Sequence, residues 1–227
     1  MEQEIKKSIA VTDVLGCPRR LCYKTLNYEQ LPPHIWTLRG RLGHRMIEEY
    51  IAHPRGFDEI FELVWAEEDG GSYVLRSKER IRKDVIRVFD NFMAWMGDRQ
   101  PVFVEYPLSS QRGFHGRIDL IADDVLVDFK TGKKTNGKES KLQLAAYYLL
   151  CEENDVPVER GAIVFLGGDT YSVSEIQNLA EYKDEFLRMV FWAMAVREEA
   201  VITGKMVDAR PSIRCVYCPY TYHCRGI

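Results

Sequence analysis

Residues 116–134, GRIDLIADDVLVDFKTGKK, constrain the fold more than any other stretch. Two short apolar runs meet at Asp123-Asp124, and that dipeptide predicts a two-residue hairpin loop. In this register Ala122 faces Val125, Leu120 faces Val127, and Asp119 faces Asp128. Side chains alternate along a strand, so Leu126, Asp128 and Lys130 share one face, and Val125, Val127 and Phe129 the other. Like charges directly opposed destabilise a strand pair. Lys130 offers one positive charge for two carboxylates, and a divalent cation, which prefers carboxylate oxygens, completes the balance. The bland alternative is a surface hairpin with scattered charges.

The elements around the hairpin follow from period and punctuation. Residues 8–24 read as a short amphipathic helix or helix pair, broken at Pro18 and followed by the linker LPPHIW. In residues 37–52 the spacing of Leu42, Met46, Ile47, Tyr50 and Ile51 predicts a helix. His44 lies one turn after Gly40 on it. Gly40 and Gly43 weaken that helix, and close approach of a backbone or ligand would explain them. Residues 53–76 read as a hairpin turning at Asp69-Gly70-Gly71, or as partly helical. A helix is expected over 77–97, strands over 101–109 and 161–166, and a pairing strand over 170–174. Helices are expected over 138–153 and 175–203. Glu105 reads as an exposed strand charge, with an outer role near the acids as the alternative.

With 46% hydrophobic and 29% charged residues, 227 residues suit one or two domains with a real core. No apolar run is long enough for a bilayer, and MEQEIKKSIA lacks a signal-peptide core, so no membrane contact and a cytoplasmic location are expected. A formal net charge of -3 excludes global basicity. Nucleic-acid contact would fall to local clusters: Arg19, Arg20 and Lys24; Arg39, Arg41 and Arg45; Lys133, Lys134, Lys138 and Lys141. Tyr217, Tyr220 and Tyr222 could stack on bases. Any one such cluster is equally a solvated face.

The order helix, three strands, helix, strand places the acids and Lys130 on middle strands. Gln143 and Tyr147 lie one turn apart on the following helix. A helical His44, then Asp119, then Asp128 with Lys130 two residues on, then Gln143-x-x-x-Tyr147 resembles the RecB-like branch of the PD-(D/E)XK nucleases over roughly residues 38–166. That resemblance implies an α/β (α+β) core, a mixed central sheet flanked by helices. It implies that His44, Asp119, Asp128 and the Phe129 carbonyl ligate Mg2+ or Mn2+. It gives Lys130 the task of orienting the attacking water, Gln143 that of positioning Lys130 or the scissile phosphate, and Tyr147 a DNA contact.

The six cysteines are Cys17, Cys22, Cys151, Cys215, Cys218 and Cys224. In a reducing compartment such clustering points to metal before disulfides. Cys215-x-x-Cys218 and Cys224 need a fourth ligand, for which Cys17 and its neighbour Cys22 compete. By spacing alone, tetrahedral zinc, with His223 as a possible substitute ligand, fits as well as a [4Fe-4S] cluster. Cys151 and Cys22 otherwise read as buried cysteines. One cysteine near the N-terminus with three near the C-terminus resembles the iron-sulphur staple of the CRISPR-associated RecB-like exonucleases. This resemblance implies a cluster held by Cys17, Cys215, Cys218 and Cys224, in a region built from 1–36 and 205–227. The nuclease domain would span 37–204, with a helical insertion around 53–100.

Taken together, the expectation is a metal-dependent exonuclease acting on single-stranded DNA or single-stranded ends. By resemblance it would trim protospacer DNA in CRISPR adaptation beside Cas integrase proteins. No G-x-x-x-x-G-K-[ST] motor loop occurs, which disfavours a helicase-nuclease. The alternatives are a stand-alone RecB-like repair nuclease and a non-catalytic, zinc-containing DNA-binding or scaffold protein.

Overall fold

The computed structural model describes residues 8–68, 75–134, 137–209 and 211–225. In chain order these form β1 (Ile9–Ala10), α1 (Val11–Val14), α2 (Pro18–Thr25), α3 (Ile35–Ala52), α4 (Phe57–Glu67) and α5 (Leu75–Met96). Then come β2 (Pro101–Ser109), β3 (Phe114–Ala122), β4 (Val125–Lys130), α6 (Lys138–Glu153), β5 (Arg160–Phe165), β6 (Ser172–Ile176) and α7 (Ala180–Thr203). A 3-10 turn over Ile213–Tyr217 and α8 (Thr221–Arg225) follow.

The hairpin forms in the expected register, with Leu120, Ile121 and Ala122 opposite Val127, Leu126 and Val125. Asp123 takes a left-handed backbone, φ 53°, which Asp tolerates better than most residues. The Asp119–Asp128 pair does not form, because pairing ends at Leu120–Val127. Two buried carboxylates at that point repel. Asp119 Oδ2 instead accepts the Phe129 N–H at 2.7 Å. A continued antiparallel ladder would have given that N–H to Ile118.

The sheet runs β1-β3-β4-β5-β6, with β2 on the other edge of β3. β1 is parallel to β3 at Phe114 and His115, and β4 joins the same edge only at Leu120. Residues 116–119 are left without a strand partner on that edge, and this opening holds the site. The β4–β5 pair is parallel and β5–β6 antiparallel, so the sheet is mixed.

Alternation along the strands builds a core on each face. Ile121, Leu126, Ile163 and Phe165 pack with Leu144 and Ala145 of α6 and Phe186 and Val190 of α7. Leu120, Val127, Phe129 and Val164 pack with Ile47 of α3 and Val88, Phe92 and Trp95 of α5. α4 closes a third core between α3 and α5. At Gly43 a Cβ would lie 2.9 Å from Thr131 Cγ2, so α3 rests on the end of β4 only because that Cβ is missing. The close neighbours at Gly43 are the Thr131 and Val88 side chains, neither backbone nor ligand, and at Gly40 a Cβ would make only an ordinary 3.6 Å contact with Thr131 Oγ1.

The described part of residues 53–76 resolves to the helical alternative, with α4 over Phe57–Glu67: Phe57, Ile60, Phe61, Val64 and Trp65 recur at helical spacing and are turned inward. The turn expected at Asp69-Gly70-Gly71 lies outside the described residues. β6 and α7 begin two and five residues later than read from the sequence, because β5–β6 pairing extends to Ile176.

Candidate active site

Five elements aim side chains into one cavity of about 720 Å³. α3 brings His44, β2 brings Glu105, β3 brings Asp119, β4 brings Asp128, Phe129 and Lys130, and α6 brings Gln143 and Tyr147. His44 Nδ1 lies 3.3 Å from Glu105 Oε1 and 3.6 Å from Asp119 Oδ1. One ligand atom from each of these three residues falls within 4.8 Å of the others, and among the described residues no second such group occurs.

Lys130 is fixed from two sides. Its ammonium donates to Asp128 Oδ1 at 3.0 Å and to Gln143 Oε1 at 2.9 Å. An ammonium only donates, so the Gln143 amide is oriented, and its Nε2 donates to Tyr147 Oη at 2.9 Å. Tyr147 thereby keeps its own proton for another acceptor. The Tyr147 ring lies on Gly116, where a Cβ would sit 2.7 Å from Cε1.

Glu105, Asp119 and Asp128 face His44 and Lys130, and Arg117 Nε lies 3.9 Å from Glu105 Oε2 at the rim. Burial lowers the affinity of His44 for a proton, but Asp119, the Glu105 hydrogen bond and Asp128 outweigh it and push the pKa up to about 9. Burial raises Asp128 to about 6, against the pull of Lys130 and with the push of Asp119. Burial likewise raises Asp119, opposed by His44 and reinforced by Glu105. Burial, then the charges of Asp119 and Asp128, hold Tyr147 well above its ordinary value, so it stays protonated. Asp128 Oδ2 lies 2.7 Å from Lys130 Nζ but outside hydrogen-bond geometry, a buried carboxylate oxygen with no hydrogen bond. Such a donor set fits a hard divalent cation.

Glu105 corrects the sequence reading, which left it as an exposed charge. Its carboxylate is largely buried and faces His44. Its backbone is left-handed, φ 45°, an unfavourable state for Glu that persists only where the surroundings impose it. The available signal was register: Val104 pairs with Leu120 and Tyr106 with Ile118, so Glu105 stands opposite Asp119. Phe129 lines the cavity, and its N–H fixes Asp119.

Cys17, Cys218 and Cys224 lie near one another where the chain ends meet. Cys17 is the residue before α2, Cys215 lies in the 3-10 turn, Cys218 follows that turn and Cys224 lies within α8. Arg19 Nε donates to Val207 O at 2.8 Å, and Leu31 N to Pro219 O at 2.9 Å. Tyr23 stacks on Tyr220 with ring centroids 5.5 Å apart. Cys22 and Cys151 are fully buried, and burial drives Cys151 to about 12. Tyr220 is 1% exposed, so it is not open to a base, whereas Tyr217 and Tyr222 are exposed. Of the basic groups, Arg41, Arg45, Arg117, Lys133 and Arg214 rim the cavity.

No helix among the described residues is long and apolar enough to cross a membrane. Among solved structures, the chain aligns with a candidate exonuclease from Eubacterium rectale at a TM-score of 0.57 and 12% identity, over 93% of each chain, which is a likeness of fold. The crystal structure of SSO0001 aligns over 99% of this chain and 88% of that one, with 17% identity and a TM-score of 0.43. No curated protein matches the chain. A family model for the PD-(D/E)XK nuclease superfamily matches residues 10–225, nearly the whole span of sheet, cleft and cysteine region, and the chain belongs to that superfamily.

Proposed function

We propose that this chain is a divalent-metal-dependent DNA exonuclease acting on single-stranded ends, with a four-cysteine iron-sulphur knot. The carrying observation is the convergence of His44, Glu105 and Asp119 beside the Lys130–Gln143–Tyr147 relay in one cavity. Mg2+ or Mn2+ would be held by His44, Glu105 and Asp119, with Asp128 and the Phe129 carbonyl as the further ligands that the family implies. Bound there, the ion supplies Lewis-acid polarisation of the phosphate and eases deprotonation of water.

The protein's part is position and charge. Lys130, held between Asp128 and Gln143, presents its ammonium to the attacking water and to the charge that grows on the phosphoryl oxygens. Tyr147 donates its free hydroxyl proton to a phosphate oxygen. Arg41, Arg117 and Arg214 at the rim hold flanking phosphates. Water attacks phosphorus, one P–O ester bond breaks, and the leaving oxygen takes up a proton. The products are a phosphate monoester and a free hydroxyl.

A cluster fits the cysteine region. The Tyr23 hydroxyl is buried and lies against the Cys224 thiol, so it faces the position that a sulphur-rich occupant would take. Four thiolates suit tetrahedral zinc as well, and the resemblance to the iron-sulphur RecB-like exonucleases is what favours the larger cluster. Cys17, Cys215, Cys218 and Cys224 would hold it, and it would tie the chain ends together. The setting that this reading favours is trimming of protospacer ends for the Cas integrase proteins, in the cytoplasm.

The test is digestion of single-stranded DNA labelled separately at each end, by anaerobically purified protein, with Mn2+, Mg2+ or chelator. Metal-dependent release of short products that falls at least about 100-fold in Lys130→Ala is expected. Cleavage unchanged in Lys130→Ala, or none by metal-loaded protein, contradicts the reading.

A further inference from the structure

We infer that Tyr217, His34 and Trp36 form a base-stacking track that carries the single-stranded arm of the substrate away from the catalytic cavity. The inference rests on the nuclease reading and adds a binding surface outside the cavity. Arg214 lines the cavity rim, and Tyr217 follows it by three residues in the same 3-10 turn. Residues three apart in a 3-10 turn lie one above the other, so the two share a face. The Tyr217 ring meets His34 edge-on, with centroids 4.8 Å apart. His34 caps α3, its Nδ1 accepting the Trp36 N–H at 3.3 Å. Trp36 and Tyr217 each keep 39% of their surface exposed.

Charge and continuity select the occupant. The Arg39 and Arg80 guanidinium carbons lie 4.7 and 5.5 Å from the Trp36 ring centroid. Aromatic rings interleaved with guanidinium groups suit bases joined by phosphates. α3 carries Trp36 at one end of this surface and His44 in the cavity, eight residues or about 12 Å further along the axis. The strand whose scissile phosphate sits at Lys130 therefore meets Arg214 and Tyr217 at the rim and Trp36 a few nucleotides beyond. Stacking tolerates any base, so the track selects for single strands and not for sequence.

The experiment is a fluorescence-anisotropy titration without divalent metal. It compares a labelled oligothymidylate with an abasic strand of equal length and charge. The wild type is expected to bind the thymidylate more tightly. Trp36→Ala and Tyr217→Ala are each expected to lose about tenfold of that affinity, with abasic binding unchanged. Trp36→Phe and Tyr217→Phe, which keep a ring, should retain it. Circular dichroism confirms that the variants fold, and two variants on separate elements guard against local damage. Full base preference in both alanine variants overturns the track and leaves the nuclease reading standing. So does equal loss on both strands. Failure of the wild type to bind either strand overturns the nucleic-acid reading itself.

Discussion

The candidate cleft and the cysteine region are held by different physics. Cleft side chains are carried by long elements packed into apolar cores on both sheet faces. Asp128 is fully buried, and Lys130, Gln143 and Tyr147 are linked in series by hydrogen bonds of 2.9 Å. The knot rests on a five-residue 3-10 turn and a five-residue helix, too short to persist alone, and Cys215 is exposed. The cleft is organised before any ligand arrives. The knot draws its order from joined chain ends and from the cluster proposed to bind there.

This contrast can be broken most severely at the knot. Cys218→Ala is expected to lose the iron content and visible absorbance of anaerobically purified protein. In hydrogen exchange the amides of α2 and α8 should lose protection, while β3, β4 and α6 keep theirs. Loss of protection throughout would mean that the two regions are one cooperative unit. Within the cleft, Glu105→Gln should weaken Mn2+ binding about 10- to 100-fold by isothermal titration, with little change in melting temperature. An unchanged affinity would return Glu105 to a structural charge. The smallest effect is expected at Gly116→Ala, where the new methyl meets the Tyr147 ring. Overpacking should cost about 1–3 kcal/mol in denaturant titration. Turnover should fall about tenfold as Tyr147 and Gln143 move off line, with KM nearly unchanged.

What could be read from the sequence follows the same division. Asp119, Asp128 and Lys130 were legible because strand alternation is rigid: once Asp123-Asp124 closes the turn, the faces are set. Gln143 and Tyr147 were legible because helical spacing is equally rigid. Glu105 was read as an exposed charge because its place beside His44 depends on its nonlocal register against Asp119 and on an unusual left-handed backbone, φ 45°. α4 was legible as the helical alternative for 53–76, since Phe57, Ile60, Phe61, Val64 and Trp65 carry the helical period, while the nearby Asp69-Gly70-Gly71 kept a hairpin in play. In the tail the Cys215-x-x-Cys218 pattern was visible. That Pro219 would bond to Leu31, or that Tyr220 would be buried against Tyr23, depends on how the ends meet and leaves no local trace.

The central claim is that His44, Glu105 and Asp119 seat the catalytic metal beside Lys130. Anomalous diffraction from a manganese-soaked crystal tests it most directly. The account predicts a manganese peak within bonding distance of all three side chains, with the Lys130 ammonium still against Asp128 and Gln143. A peak that leaves Glu105 and His44 aside, or no peak in the cavity at saturating manganese, would contradict it.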